Sequence, residues 1–204
     1  MVRGVVHGGF FVLRHDGAIP QAQAQRVCAQ GAQRNEAVHV IIGIDPGPVN
    51  SAYAVANEDD YKPVEVEILP NDEVLKRIAN AKEDWFVIEM VASYGMAVGK
   101  DVFETVCWIG RFYQAAIMFG FREDMCRRIY RGDVKMNLCQ SMRAKDANVN
   151  RALVDRFAQH DLKSGKGTKK NPDWFYGFNA DKWAAYGVVV TFADILNGRY
   201  EPRD

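Results

Sequence analysis

The sequence contains no apolar run approaching the roughly 18 residues that a membrane-spanning helix requires, which argues against an integral membrane protein. Cysteine is scarce. The four present, Cys28, Cys107, Cys126 and Cys139, lie far apart with no Cys-x-x-Cys pair. That spacing argues against a structural zinc site and a disulfide framework, and fits a reducing, cytoplasmic compartment. Net charge is also missing, with 26 Lys and Arg balancing 26 Asp and Glu. No internal repeat is apparent. What remains, 48% hydrophobic and 25% charged over 204 residues, is enough for one domain with a sizeable core.

The zero balance conceals a segregation. From Asp45 to Glu104 there are 13 acids and 5 bases, whereas from Arg122 to Lys170 there are 13 bases and 6 acids. Such a division suits a protein whose acids hold cations while its bases hold a polyanion. For any single Lys or Arg, a solvated helix face explains the charge equally well.

Residues 1–38 are polar and small, with little periodicity, and are expected to form an N-terminal extension, mobile or loosely docked. Their one apolar patch, Phe10 to Leu13, is too short and poorly flanked for a signal peptide. The folded domain is expected over 39–204. Val40 to Ile44 reads as a strand buried on both faces, ended by Pro46-Gly47-Pro48, and Ser51 to Val55 returns as its hairpin partner. Asp45 stands at the exit of the first strand. It is either a functional carboxylate or a cap for the Pro-Gly turn.

Val64 to Ile68 alternates as a third, half-exposed strand. Asn71 is expected to cap a helix with Val74, Leu75 and Ile78 inward. Asp84 to Met90 is a fourth strand that again exits into an acid, Glu89. After a glycine-containing loop, Val102, Val106, Ile109, Phe112 or Tyr113, and Ala116 recur at helical spacing over about 101–120. A fifth strand follows over about 125–130, then a short helix opened by Asp133 and containing Lys135. A helix over about 147–159 should be capped by Asp146, with Arg151 and Arg156 outward. The basic loop 163–178 leads to 179–194, read as a last helix because Ala180, Ala184, Ala185 and Ala193 outweigh the strand-like Val188-Val-Val190. Trp183 and Tyr186 belong to its core side.

Four motifs in this order carry a resemblance: Gly43-Ile-Asp-Pro-Gly47 after an apolar strand, Val87-Ile-Glu89 at the exit of the fourth, Val134-Lys135 opening a helix, and Ala180-Asp-Lys-Trp-Ala-Ala185 on the last helix. With the loop Gly167-Thr-Lys-Lys-Asn-Pro172, they make residues 38–198 resemble the RuvC-like Holliday junction resolvases, in particular those of bacteriophages, within the RNase H-like (retroviral integrase) superfamily. The resemblance implies an α/β RNase H-like fold: a five-stranded mixed sheet, its first three strands antiparallel, flanked by helices. It implies a metal-dependent endonuclease that resolves four-way DNA junctions through two Mg2+ or Mn2+ ions about 3.5–4 Å apart. Asp45, Glu89 and Asp181 would be catalytic metal ligands, and Lys135 would sit beside the scissile phosphate.

RuvC-like enzymes carry a fourth acid three residues after the helix aspartate, and here that position is Ala184. Asp146 is the candidate replacement. Arg131, Arg143, Lys145, Lys166, Lys169 and Lys170 are candidates for DNA-backbone contact. Tyr94 and Met96 are candidates for insertion into the junction, with core packing as the alternative for both. Paired cutting implies a homodimer, through the long helix and the loop before it. Other readings are a broader fork and flap debranching nuclease, a junction-binding protein of weak catalysis, and last an actin-like ATPase, for which a second phosphate loop is missing.

Overall fold

The computed structural model describes residues 39–81, 84–92 and 98–202. The expected extension over 1–38, and Tyr94 and Met96, lie outside the described residues. Five strands, β1 (Val40–Asp45), β2 (Asn50–Asn57), β3 (Pro63–Pro70), β4 (Trp85–Met90) and β5 (Cys126–Tyr130), form one sheet in the order β3-β2-β1-β4-β5. β1, β2 and β3 pair antiparallel, while β4 and β5 add in parallel to β1. The central position of β1 explains its unbroken apolar run: Ile41, Ile42 and Ile44 are fully buried.

Alternation along the strands divides the core into two layers. Ile42, Ile44, Phe86 and Ile88 face α1 (Asn71–Ala79) and α2 (Lys100–Met118), where Val74, Ile78, Ile109 and Phe112 meet them. Ile41, Ala52, Ala54, Ala56 and Val87 face the other way, toward α3 (Arg131–Cys139), α4 (Asp146–Phe157) and α5 (Lys182–Leu196). By the same alternation Asp45 and Glu89 belong to this second face.

α5 lies directly on the sheet because the residues beneath it are small. A Cβ on Gly43 would stand 2.4 Å from Val189 Cγ2 and 2.9 Å from the Ala185 carbonyl oxygen, so only glycine permits the approach. With sheet on one side and α3 and α4 on the other, α5 is buried continuously from Ala185 to Asp194, and Val188 to Val190 are helical rather than a strand.

Four expectations about side chains require correction. Asn71 is the first helical residue and caps nothing through its side chain. Instead it accepts from Ser51 Oγ (2.7 Å) and donates from Nδ2 to the Gly47 carbonyl (3.0 Å), while the Gly47 N–H donates to Ser51 Oγ (3.1 Å). Asp146 is likewise inside α4, whose capping contact is the Lys145 N–H to Asn148 Oδ1. Arg156 turns inward to Asp194 rather than outward. On α2, Ile109, Phe112 and Ala116 are buried as expected, but Val106 is exposed.

The loop 159–178 is held by two carboxylates. Asp173 accepts the backbone N–H groups of Gln159, His160, Asp161 and Trp174, and Asp161 accepts those of Lys163, Ser164, Lys166 and Gly167. Burial works against the charge on Asp173, yet these donors outweigh it and hold its pKa below the ordinary aspartate range. The Ser164 hydroxyl, followed by the backbone donors, does the same for Asp161.

Candidate active site

β1, β4 and β5 run parallel and end side by side, and such strand ends leave a crevice in open α/β sheets. Ile44 lies beside Ile88, so the next residues, Asp45 and Glu89, emerge together, and Glu89 is in register with Ile129 of β5. The chain leaves β5 through Tyr130 directly into α3, which begins with Arg131. α5, pressed onto Gly43, brings Asp181 at its N-cap to the same edge. A cleft of about 250 Å3 results, lined by Asp45, Glu89, Arg131, Asp146, Asn150, Ala180, Asp181, Trp183 and Ala184.

Neither Asp45 nor Asp181 is consumed by local structure. The Pro-Gly turn after β1 is tied by Ser51 and Asn71 rather than by Asp45. At the N-cap of α5, the Asp181 carbonyl accepts from the Ala184 and Ala185 N–H groups, while its carboxylate makes no capping bond and remains available to the cleft. The residue before it, Ala180, has φ +41°, a left-handed conformation that disfavours a Cβ and that sets the direction in which the chain enters α5.

The electrostatics record how closely the acids are gathered. Burial, then the charge on Glu89, with further contributions from Asp181 and Asp146, pushes the Asp45 pKa up to about 8 against the opposing pull of Arg131. Burial raises Glu89 as well, opposed by Arg131. Arg131 Nη1 donates to Glu89 Oε2 at 3.2 Å and Nη2 donates to Asp146 Oδ1, and this bond lowers the Asp146 pKa.

Lys135, one turn further along α3, does not line the cleft but lies close enough to favour the charges on Glu89 and Asp146. Of the expected DNA contacts, Arg143, Lys145, Lys169 and Lys170 are exposed and Lys166 is partly exposed, whereas Arg131 is drawn among the acids. Asn150, a cleft residue that sequence reasoning missed, has no local signal, since nothing in a helical asparagine says which face it occupies.

The donor set is all oxygen and crowded, with Asp45 and Glu89 half-buried and Asp146 and Asp181 exposed, which fits a hard divalent cation such as Mg2+ or Mn2+. Among the described residues no three His, Cys, Asp or Glu side chains are arranged to hold an ion as they stand. Arg131 is bonded to both Glu89 and Asp146. No described helix is long and apolar enough to cross a membrane.

The sheet order and the flanking helices define the RNase H-like α/β fold of RuvC. Two solved structures carry this statement. The structure of Thermus thermophilus RuvC matches with a TM-score of 0.54 and 16% identity, over 80% of this chain and 99% of that one. T. thermophilus RuvC in complex with a Holliday junction substrate matches with a TM-score of 0.53 and 16% identity, over 81% and 99%. Comparison of the sequence with protein-family models and with curated proteins returns no match.

Proposed function

We propose that this protein is a metal-dependent, structure-selective DNA endonuclease that resolves four-way junctions by paired phosphodiester hydrolysis. The observation that carries the reading is the gathering of Asp45, Glu89, Asp181 and Asp146 in one cleft at the parallel strand ends of a RuvC-like fold. Asp45, Glu89 and Asp181 are the catalytic metal ligands, with Asp146 as a fourth acid in a cleft where Ala184 offers none. Divalent ions held by these acids would supply an activated water and stabilise the leaving 3′ oxygen. Lys135 offsets the negative charge that gathers when the phosphodiester approaches.

Arg143, Lys145, Lys166, Lys169 and Lys170 contact the DNA backbone, fixing position rather than sequence and making affinity strongly salt-dependent. Two cuts related by a dyad require two copies of the cleft, so the protein acts as a homodimer. The support is α2, which exposes Phe103, Val106 and Met118 beside a groove of about 800 Å3 lined by Leu75, Ala79, Gly110 and Phe119.

The test is incubation of an immobile four-way junction, a fork and a linear duplex with the protein and Mg2+ or Mn2+, beside Asp45→Asn. Paired nicking of the junction by the parent protein only is the expected result. Equal cutting of fork and junction would replace resolution by general debranching, and cutting of none would overturn the nuclease assignment.

A further inference from the structure

Among the residues that line the cleft, Arg131 is the only cation. Its guanidinium forks between Glu89 on the end of β4 and Asp146 on the first turn of α4, two elements that do not otherwise meet through side-chain bonds at this edge. The side chain is 24% exposed and that of Glu89 is 14% exposed, so the pair is largely withdrawn from water. Arg131 is also the first residue of α3, where the helix dipole disfavours positive charge, so the carboxylates and not the helix favour its placement. Ala184, which also lines the cleft, adds no charge.

We propose that Arg131 is the resident cation of the cleft: it holds Glu89 and Asp146 in the metal-free protein and competes with divalent ions for Glu89. This rests on the metal-dependent reading above. A guanidinium bonded to one ligand both neutralises it and occupies its lone pairs, so an ion that takes Glu89 must displace one arm of the fork. The freed arm, still anchored on α3 beside the strand ends, is then placed to meet a phosphate oxygen. Metal binding and the position of Arg131 are therefore one coupled equilibrium. The cleft remains ordered without an ion, at the cost of a weakened affinity for it.

The experiment measures Mn2+ binding by electron paramagnetic resonance in the parent protein, Arg131→Gln and Asp45→Asn, with melting in chelator recorded alongside. Arg131→Gln is expected to bind Mn2+ about tenfold more tightly, because a positive charge within a few ångströms of the ion has been removed. It should melt lower in chelator and recover in excess Mn2+. Equal or weaker binding by Arg131→Gln, with the parent still binding and Asp45→Asn not, would overturn the resident-cation role and leave the metal site standing. Failure of both parent and Arg131→Gln to bind would overturn both readings. In the unmutated protein, the side-chain NMR signals of Arg131 should move during a Mg2+ titration with the same midpoint as binding. Signals that stay fixed while Mg2+ binds would also overturn the proposal.

Discussion

Two acid sites lie toward opposite ends of α5, and they are built on opposite rules. Toward the C-terminal end, Asp194 is 1% exposed yet fully partnered: Arg156 donates through both Nη1 (2.6 Å) and Nη2 (2.7 Å), Asn137 Nδ2 at 2.8 Å and the Tyr61 hydroxyl at 2.9 Å. Burial alone would raise its pKa, but these donors prevail and lower it. At the N-terminal end, Asp45 and Glu89 are half-buried beside other acids with one guanidinium among them, and both pKa values rise. An acid given every donor it can use joins elements; acids crowded together and left short of positive charge are candidates for holding a ligand.

The sharpest break of this contrast is Asp194→Ala, which strands the Arg156 charge and the Asn137 and Tyr61 donors between α3, α4 and the turn after β2. Loss of about 3–5 kcal/mol in chemical denaturation is expected, the range for removing one partner of a buried pair. Next, Asp45→Asn should reduce junction cleavage by about 10²- to 10³-fold, as for removal of a preorganised charge-stabilising group, with the fold intact by circular dichroism.

The two kinds of acid also predict opposite pH slopes. An acid raised to about 8 binds its proton more tightly in the folded chain than in the unfolded one. In metal-free solution Asp45 therefore makes stability fall as pH rises between about 4 and 8, and Asp45→Asn should flatten that slope. Asp161 and Asp173, held below the ordinary value, contribute stability that is present above about pH 4 and is lost as pH falls through their folded pKa values. Melting temperature followed over this range would show both. The smallest effect concerns the approach to Asp181: Ala180→Gly relieves a left-handed alanine and should add up to about 1 kcal/mol, read as a small rise in melting temperature.

Much of this was legible in the sequence wherever a single element carried the signal. Short apolar strands ending in Asp45 and Glu89, the turn between β1 and β2 and the small-residue face of α5 all follow from local pattern. The identity of side-chain partners did not. Asn71 and Asp146 have the residue type and position of helix caps, and a capping rule selects them, but each finds a partner elsewhere in the chain: Ser51 and Gly47 for Asn71, Arg131 for Asp146. Arg156 and Arg131 read as surface bases because no local pattern shows that Asp194 or Glu89 waits opposite. Long-range pairing of a charge outweighs a local preference worth about 1 kcal/mol, and only the fold reveals it.

The central claim is that the cleft acids are gathered against the stability of the metal-free protein in order to hold divalent ions. Melting of the parent protein and Asp45→Asn at pH 8, in chelator and in Mg2+, tests it directly. The account predicts that Asp45→Asn melts higher than the parent in chelator, and that Mg2+ raises the parent and not the variant. A variant that melts lower in chelator, or equal gains from Mg2+ in both proteins, would contradict it.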